Sequence, residues 1–211
     1  MTTATHRRPH WLSRIAWRIL LTLYRWKGWR VEGHHPGVGK CVIAGAPHTS
    51  NWDFVFFLGG VHHFGMQPSF MGKHTLFKWP MTRFMRDMGG IAVDRSRQSN
   101  YVGQVAQAFA ETDELALVVA PEGSRNSNGR WRSGFYHIAH AAGVPIVPGW
   151  VDHATKRGGL GPPIMPTGDF AADLAQIAAF YRSVSPDCPR FEELARQAIE
   201  QSGLHAGPDA L

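Results

Sequence analysis

The chain has 211 residues, 44% of them hydrophobic and 18% charged. That length and composition fit one domain with a core of its own and exclude a disordered chain. A formal net charge of +6 points to anionic partners, whether phosphorylated substrates, anionic lipid or nucleic acid, and two cysteines, Cys41 and Cys188, fit reduced thiols in a cytosolic setting rather than a disulfide-stapled fold.

The first expected element is a helix over 11–27. Arg14 and Arg18 interrupt its apolar region and no small-x-small site follows, so it does not read as a signal peptide. Its apolar stretch is also shorter than the roughly 20 residues a membrane span requires. On a helical wheel Arg14, Arg18 and Arg25 form a narrow stripe. Trp11, Leu12, Ile15, Ala16, Ile19, Leu20, Leu23 and Trp26 cover the other side. Four Trp and five Arg or Lys lie between 11 and 30. This pattern suits a helix lying in a membrane interface, with a helix docked on the domain core as the alternative.

Strands and helices then alternate. Strands are expected at 41–45, 68–72, 90–93, 115–120 and 145–150, with a further candidate at 162–165. Helices are expected at 52–64, 75–86, 98–111, 133–142, 170–183 and 189–202, and Pro80 interrupts the second of these. Short strands separated by helical patterns predict an α/β fold: a central, largely parallel sheet flanked by helices. Ligands in such sheets sit at the carboxyl ends of strands. The polar residues of interest fall there. His48 follows the first strand, Lys73 the second, Arg95 the third, and Glu122 to Arg125 the fourth.

His48 and Asp53 are five residues apart across a strand-to-helix turn. Asp53 can fold back to one ring nitrogen of His48, leaving the other as a base. That is the orienting half of a Ser-His-Asp arrangement, although the same spacing also suits a loop histidine and a helix-start carboxylate. In "PEGSR", Gly123 permits close backbone approach and Arg125 offers a fork suited to phosphate, with Arg130 and Arg132 adding to the field. The alternative is an ordinary strand-end turn in which Glu122 pairs with a neighbouring base. His137 and His140 stand at i, i+3, but no cysteine or carboxylate motif accompanies them, so no metal site is expected.

Taken together, these blocks resemble the glycerolipid acyltransferase family typified by 1-acyl-glycerol-3-phosphate acyltransferase. The resemblance runs over about residues 41–150. His48-x-x-x-x-Asp53 matches the catalytic block. Lys73, Leu76, Pro80 and Gly90 through Arg95 match the second, Pro121 through Arg125 the third, and Val144-Pro145-Ile146-Val147-Pro148 the fourth. The chain departs from the usual pattern at Pro47, Ala120 and Asn126.

The resemblance implies transfer of a fatty acyl chain from acyl-CoA or acyl carrier protein to a hydroxyl of a lysophospholipid, 1-acyl-glycerol-3-phosphate first. It implies His48 as general base, Asp53 behind it, and Glu122, Gly123, Ser124 and Arg125 at the acceptor phosphate, with Lys73 and Arg95 as further cations. The acceptor supplies the nucleophile, which accounts for a histidine and aspartate with no G-x-S-x-G elbow beside them. No cofactor is expected beyond the acyl thioester donor. The expected division is a membrane-associating segment at 1–33, an acyltransferase domain at 34–202 and a tail at 203–211. The expected location is peripheral, on the cytoplasmic face of the membrane. A different lipid acceptor, a lyso-aminolipid or glycolipid, is the nearest alternative. A non-catalytic binding module is the alternative of another class. Nucleic acid is not an expected partner, since no basic-aromatic array lies outside 7–30.

Overall fold

The apolar run after Lys40 becomes the strand at the middle of the sheet. The computed structural model describes residues 11–26, 28–50, 53, 59–93 and 101–203. Helix α1 (Trp11–Trp26) precedes β1 (Arg30–Glu32) and β2 (Lys40–Ala46). After helical residues 59–63 come β3 (Pro68–Lys73), a 3-10 turn (His74–Phe77), α2 (Thr82–Asp87) and β4 (Gly90–Val93). Then follow α3 (Tyr101–Ala110), β5 (Leu115–Val119), α4 (Gly134–Ala142) and β6 (Ile146–Asp152). Last come β7 (Arg157–Leu160), α5 (Phe170–Val184) and α6 (Pro189–Gln201).

The strands form one sheet in the order β1-β7-β6-β2-β5-β3-β4. Every neighbouring pair is parallel except β6 with β7. The α/β fold with a largely parallel sheet is therefore as the periodicity predicts. Strand β2 is buried on both faces, which is why it reads as continuous rather than alternating hydrophobicity. Val42, Ala44 and Ala46 pack with Leu117, Phe135, Ile138, Leu174, Ile177 and Tyr181. Cys41 and Ile43 face the opposite cluster with Val61, Met66, Val118 and Val147. Each fully buried large apolar side chain contributes about 1.5–3 kcal/mol. Tyr181 staples α5 across two strands, its hydroxyl donating to the carbonyls of Ala44 and Gly149.

Three expectations are corrected. The candidate strand at 162–165 is instead β7, five residues earlier. Pro162 and Pro163 have no amide hydrogens to continue a ladder, and Ile164 makes a single bridge to Ile146. The helix expected at 75–86 is a 3-10 turn and a short α2, divided at Pro80. Strand β1 lies where no strand is expected, and it pairs with β7 as the edge of the sheet. Of the helix expected at 52–64, Asp53 and 59–63 are helical, Phe64 is already in the turn that follows, and 52 and 54–58 lie outside the described residues.

Helix α1 leaves Trp11, Ile15, Ile19 and Trp26 exposed, with Arg14 and Arg18 exposed beside them. Among the described residues no helix is long and apolar enough to cross a membrane.

Candidate active site

Because β2, β5, β6 and β3 run in parallel, their carboxyl ends share one rim of the sheet. Strand β2 is the central one, and His48 leaves it after the buried Pro47. The His48 side chain is 24% exposed and its Nδ1 lies 3.5 Å from Oδ2 of the fully buried Asp53. Its Nε2 has no hydrogen-bond partner among the described residues. A buried carboxylate behind a partly open imidazole can orient the ring and stabilise its cation.

Asp53 is held from several sides. The Ser50-x-x-Asp53 spacing lets the carboxylate reach back to the amides at the helix start, as in a capping box. Oδ2 accepts from the amides of Thr49 at 2.5 Å and Ser50 at 2.6 Å. Oδ1 accepts from Ser50 Oγ at 3.1 Å and lies 2.7 Å from Nε2 of His153. Burial alone would raise the Asp53 carboxyl. The bonds from His153, Ser50 and Thr49 outweigh it and hold the group below its ordinary value. The sequence reading has Asp53 accepting from His48. The structure brings the two together, but the shorter contact is with His153.

The "EGSR" turn follows β5. Glu122 is buried and its carboxylate is fully engaged. Oε1 accepts from the His48 amide at 3.0 Å, and Oε2 accepts from Ser127 Oγ at 2.7 Å and from Arg190 Nη1. The neighbouring base in the ion-pair alternative is therefore Arg190, at the start of α6. Gly123, Ser124 and Arg125 are exposed in the next turn. Gly123 has a φ of +71°, and a Cβ there would meet the Arg132 side chain at 3.1 Å. Only glycine lets the guanidinium stem lie this close to a left-handed backbone. Arg125 and Arg132 thus present two exposed guanidinium groups beside one turn, and the Arg125 group has no partner among the described residues.

Helix α6 clamps this loop. Arg190 Nη2 donates to the Arg125 carbonyl at 3.0 Å. Gln197 brackets the Trp131 backbone, accepting its amide at 2.7 Å and donating to its carbonyl at 2.9 Å. Arg130 is drawn away to Glu193 and Glu200. Lys73 closes β3 on the same rim. Arg95 lies outside the described residues.

Cys41 is excluded as a nucleophile by its surroundings. Burial pushes its thiol up to about 12, so it carries no thiolate near neutral pH. His153, Arg190 and Ser127 are the site residues that sequence reasoning missed. His153 follows β6 as His48 follows β2, so the strand-end rule applied to a fifth strand would have found it.

A family model described as Acyltransferase matches residues 30–152. The chain is 31% identical over 140 residues to the 1-acyl-sn-glycerol-3-phosphate acyltransferase of Haemophilus influenzae, a match covering 60% of this chain and 55% of that protein. The chain therefore matches little more than half the length of this relative. No solved structure matches the chain at a significant level.

Proposed function

Because the chain belongs to the acyltransferase family, we propose that it moves a fatty acyl group from acyl-CoA or acyl carrier protein to a hydroxyl of a lysophospholipid, with 1-acyl-glycerol-3-phosphate as the first candidate. The observation that carries this reading is His48, partly exposed and backed by Asp53 at Nδ1, with its amide tied to the first residue of the "EGSR" turn. His48 Nε2 takes the proton of the acceptor hydroxyl. The oxygen attacks the thioester carbonyl, the new C–O bond forms and the C–S bond breaks. The imidazolium returns its proton to the departing thiolate. The acyl group passes directly, without a covalent enzyme intermediate.

The acceptor phosphate is assigned to the exposed Gly123-Ser124-Arg125 turn, with Lys73 and Arg95 as further cations. Glu122 serves this site from beneath, by holding His48 and the loop. The test is labelled acyl-CoA offered with a panel of lysolipids, with products identified by mass. Labelled phosphatidate from 1-acyl-glycerol-3-phosphate is expected. Label on a lyso-aminolipid or glycolipid instead would reassign the acceptor, and label on none would defeat the reading. In the same assay Arg125→Ala should weaken the acceptor by about 1–3 kcal/mol and leave the donor KM unchanged. A raised donor KM with an unchanged acceptor KM would reverse the assignment.

The protein is further proposed to work as a peripheral protein on the cytoplasmic face of the membrane. Trp11, Ile15, Ile19 and Trp26 stand exposed along α1 with the exposed Arg14 and Arg18 beside them, and both lipid substrate and product reside in a bilayer. Replacing Ile15 and Ile19 together with glutamate should abolish sedimentation with anionic vesicles, and added salt should weaken binding of the unaltered protein. Undiminished binding by the double variant would leave α1 as a docked helix only.

A further inference from the structure

Asp53 has anchors of two kinds. Thr49 and Ser50 belong to its own turn and move with it. His153 comes from the β6–β7 turn, 100 residues away in the chain, and ties the carboxylate to another part of the sheet. The position of His153 is set by the fold. Strand β6 runs parallel to β2 with Trp150 opposite Ala46. His48 leaves β2 two residues after Ala46 and His153 follows β6 directly, so both stand at the same end of these paired strands. Asp152 locks the turn, accepting from the Ala154 amide at 2.9 Å and from Thr155 Oγ1 at 2.8 Å. The imidazole of His153 stands edge-on to Trp29, with ring centroids 5.3 Å apart at 90°. A carboxylate can only accept, so the proton on the 2.7 Å contact belongs to His153 Nε2.

We infer that His153 is a positioning residue for the catalytic pair: its Nε2–H fixes Asp53 Oδ1, so that Oδ2 stays turned toward His48 Nδ1. Asp53 thus stands between two imidazoles, one facing the acceptor and one bracing the carboxylate from behind. The hydrogen bond to Asp53, partly offset by burial, raises His153 above its ordinary value, as a short bond to a carboxylate requires. The role rests on the reading of His48 as the base.

His153→Leu removes the donor and keeps an apolar side chain against Trp29. Its kcat should fall about 10- to 100-fold with both KM values unchanged, because the base is misplaced rather than the substrates released. His153→Gln puts an N–H near the position of Nε2 and should recover most of that loss. In an Asp53→Asn background, His153→Leu should add little further loss, since the two act as one unit. A Leu variant with unaltered kcat, a Gln variant as poor as the Leu variant, or fully additive losses would each overturn the inference. A second measurement needs no turnover. In protein with labelled histidine rings, followed by NMR against pH, Asp53→Asn should lower the titration midpoint of His153, and an unmoved midpoint would also overturn it. If the unaltered protein transfers no acyl group, the acyltransferase reading fails instead, and the ring titration still decides whether His153 and Asp53 are joined.

Discussion

His48→Ala should lower turnover about 10²- to 10⁴-fold while the protein remains folded. The structure separates the two consequences of the substitution. The imidazole is partly exposed, and its contact with Asp53 is 3.5 Å long. The structural connection made by this residue is its amide, which donates to Glu122, and alanine retains it. Loss of the side chain should therefore shift the melting temperature by no more than a few degrees, as for substitutions that remove no buried group. The loss should appear in kcat for every acceptor that the protein uses, because the same proton must leave each hydroxyl. A folded His48→Ala protein with full turnover would rule out the base and the direct attack together.

Glu122→Ala should be the most destabilising substitution at the site. The carboxylate is buried and receives the His48 amide, the Ser127 hydroxyl and the Arg190 guanidinium. Removing one member of a buried ion pair costs about 3–5 kcal/mol, and because Arg190 is 24% exposed and keeps the Arg125 carbonyl, the loss should fall toward the lower end. Glu122→Gln keeps an oxygen for the His48 amide and should lie between alanine and the unaltered protein. Urea unfolding of the three proteins, read beside acceptor KM, distinguishes two roles for this residue. A residue that grips the acceptor raises KM in the Gln variant at unchanged stability. A residue that holds the site together lowers the unfolding midpoint in both variants.

What the sequence revealed follows from how local each signal is. His48, Asp53 and the "EGSR" turn are legible because a strand exit, a small-residue turn and a helix start occupy a dozen residues or fewer. The partners that fix them are not local. Arg190 reaches Glu122 across 68 residues and His153 reaches Asp53 across 100, and neither stretch announces its partner. The missed strands have a similar cause. Strand β1 has three residues, too few to show a period. Strand β7 reads Arg-Gly-Gly-Leu, a poor strand by propensity. Its glycines are demanded by its neighbours. A Cβ on Gly158 would press on the Trp150 carbonyl at 2.8 Å, and one on Gly159 would strike the Glu32 carbonyl. The residues that make this strand possible are those that hide it from a pattern search.

The α6 clamp has a consequence for the order in which the protein is made. Translation releases β2, β5 and the Glu122 turn well before Arg190, the cation that Glu122 meets in the finished protein. A nascent chain at that stage has the His48 strand and the Glu122–Arg125 turn but not the guanidinium that neutralises the carboxylate between them. Until α6 emerges, burying Glu122 would strand a charge in the interior, so the loop has reason to stay hydrated and open. The loop between His48 and Arg125 can therefore close only once α6 is in place to meet Glu122.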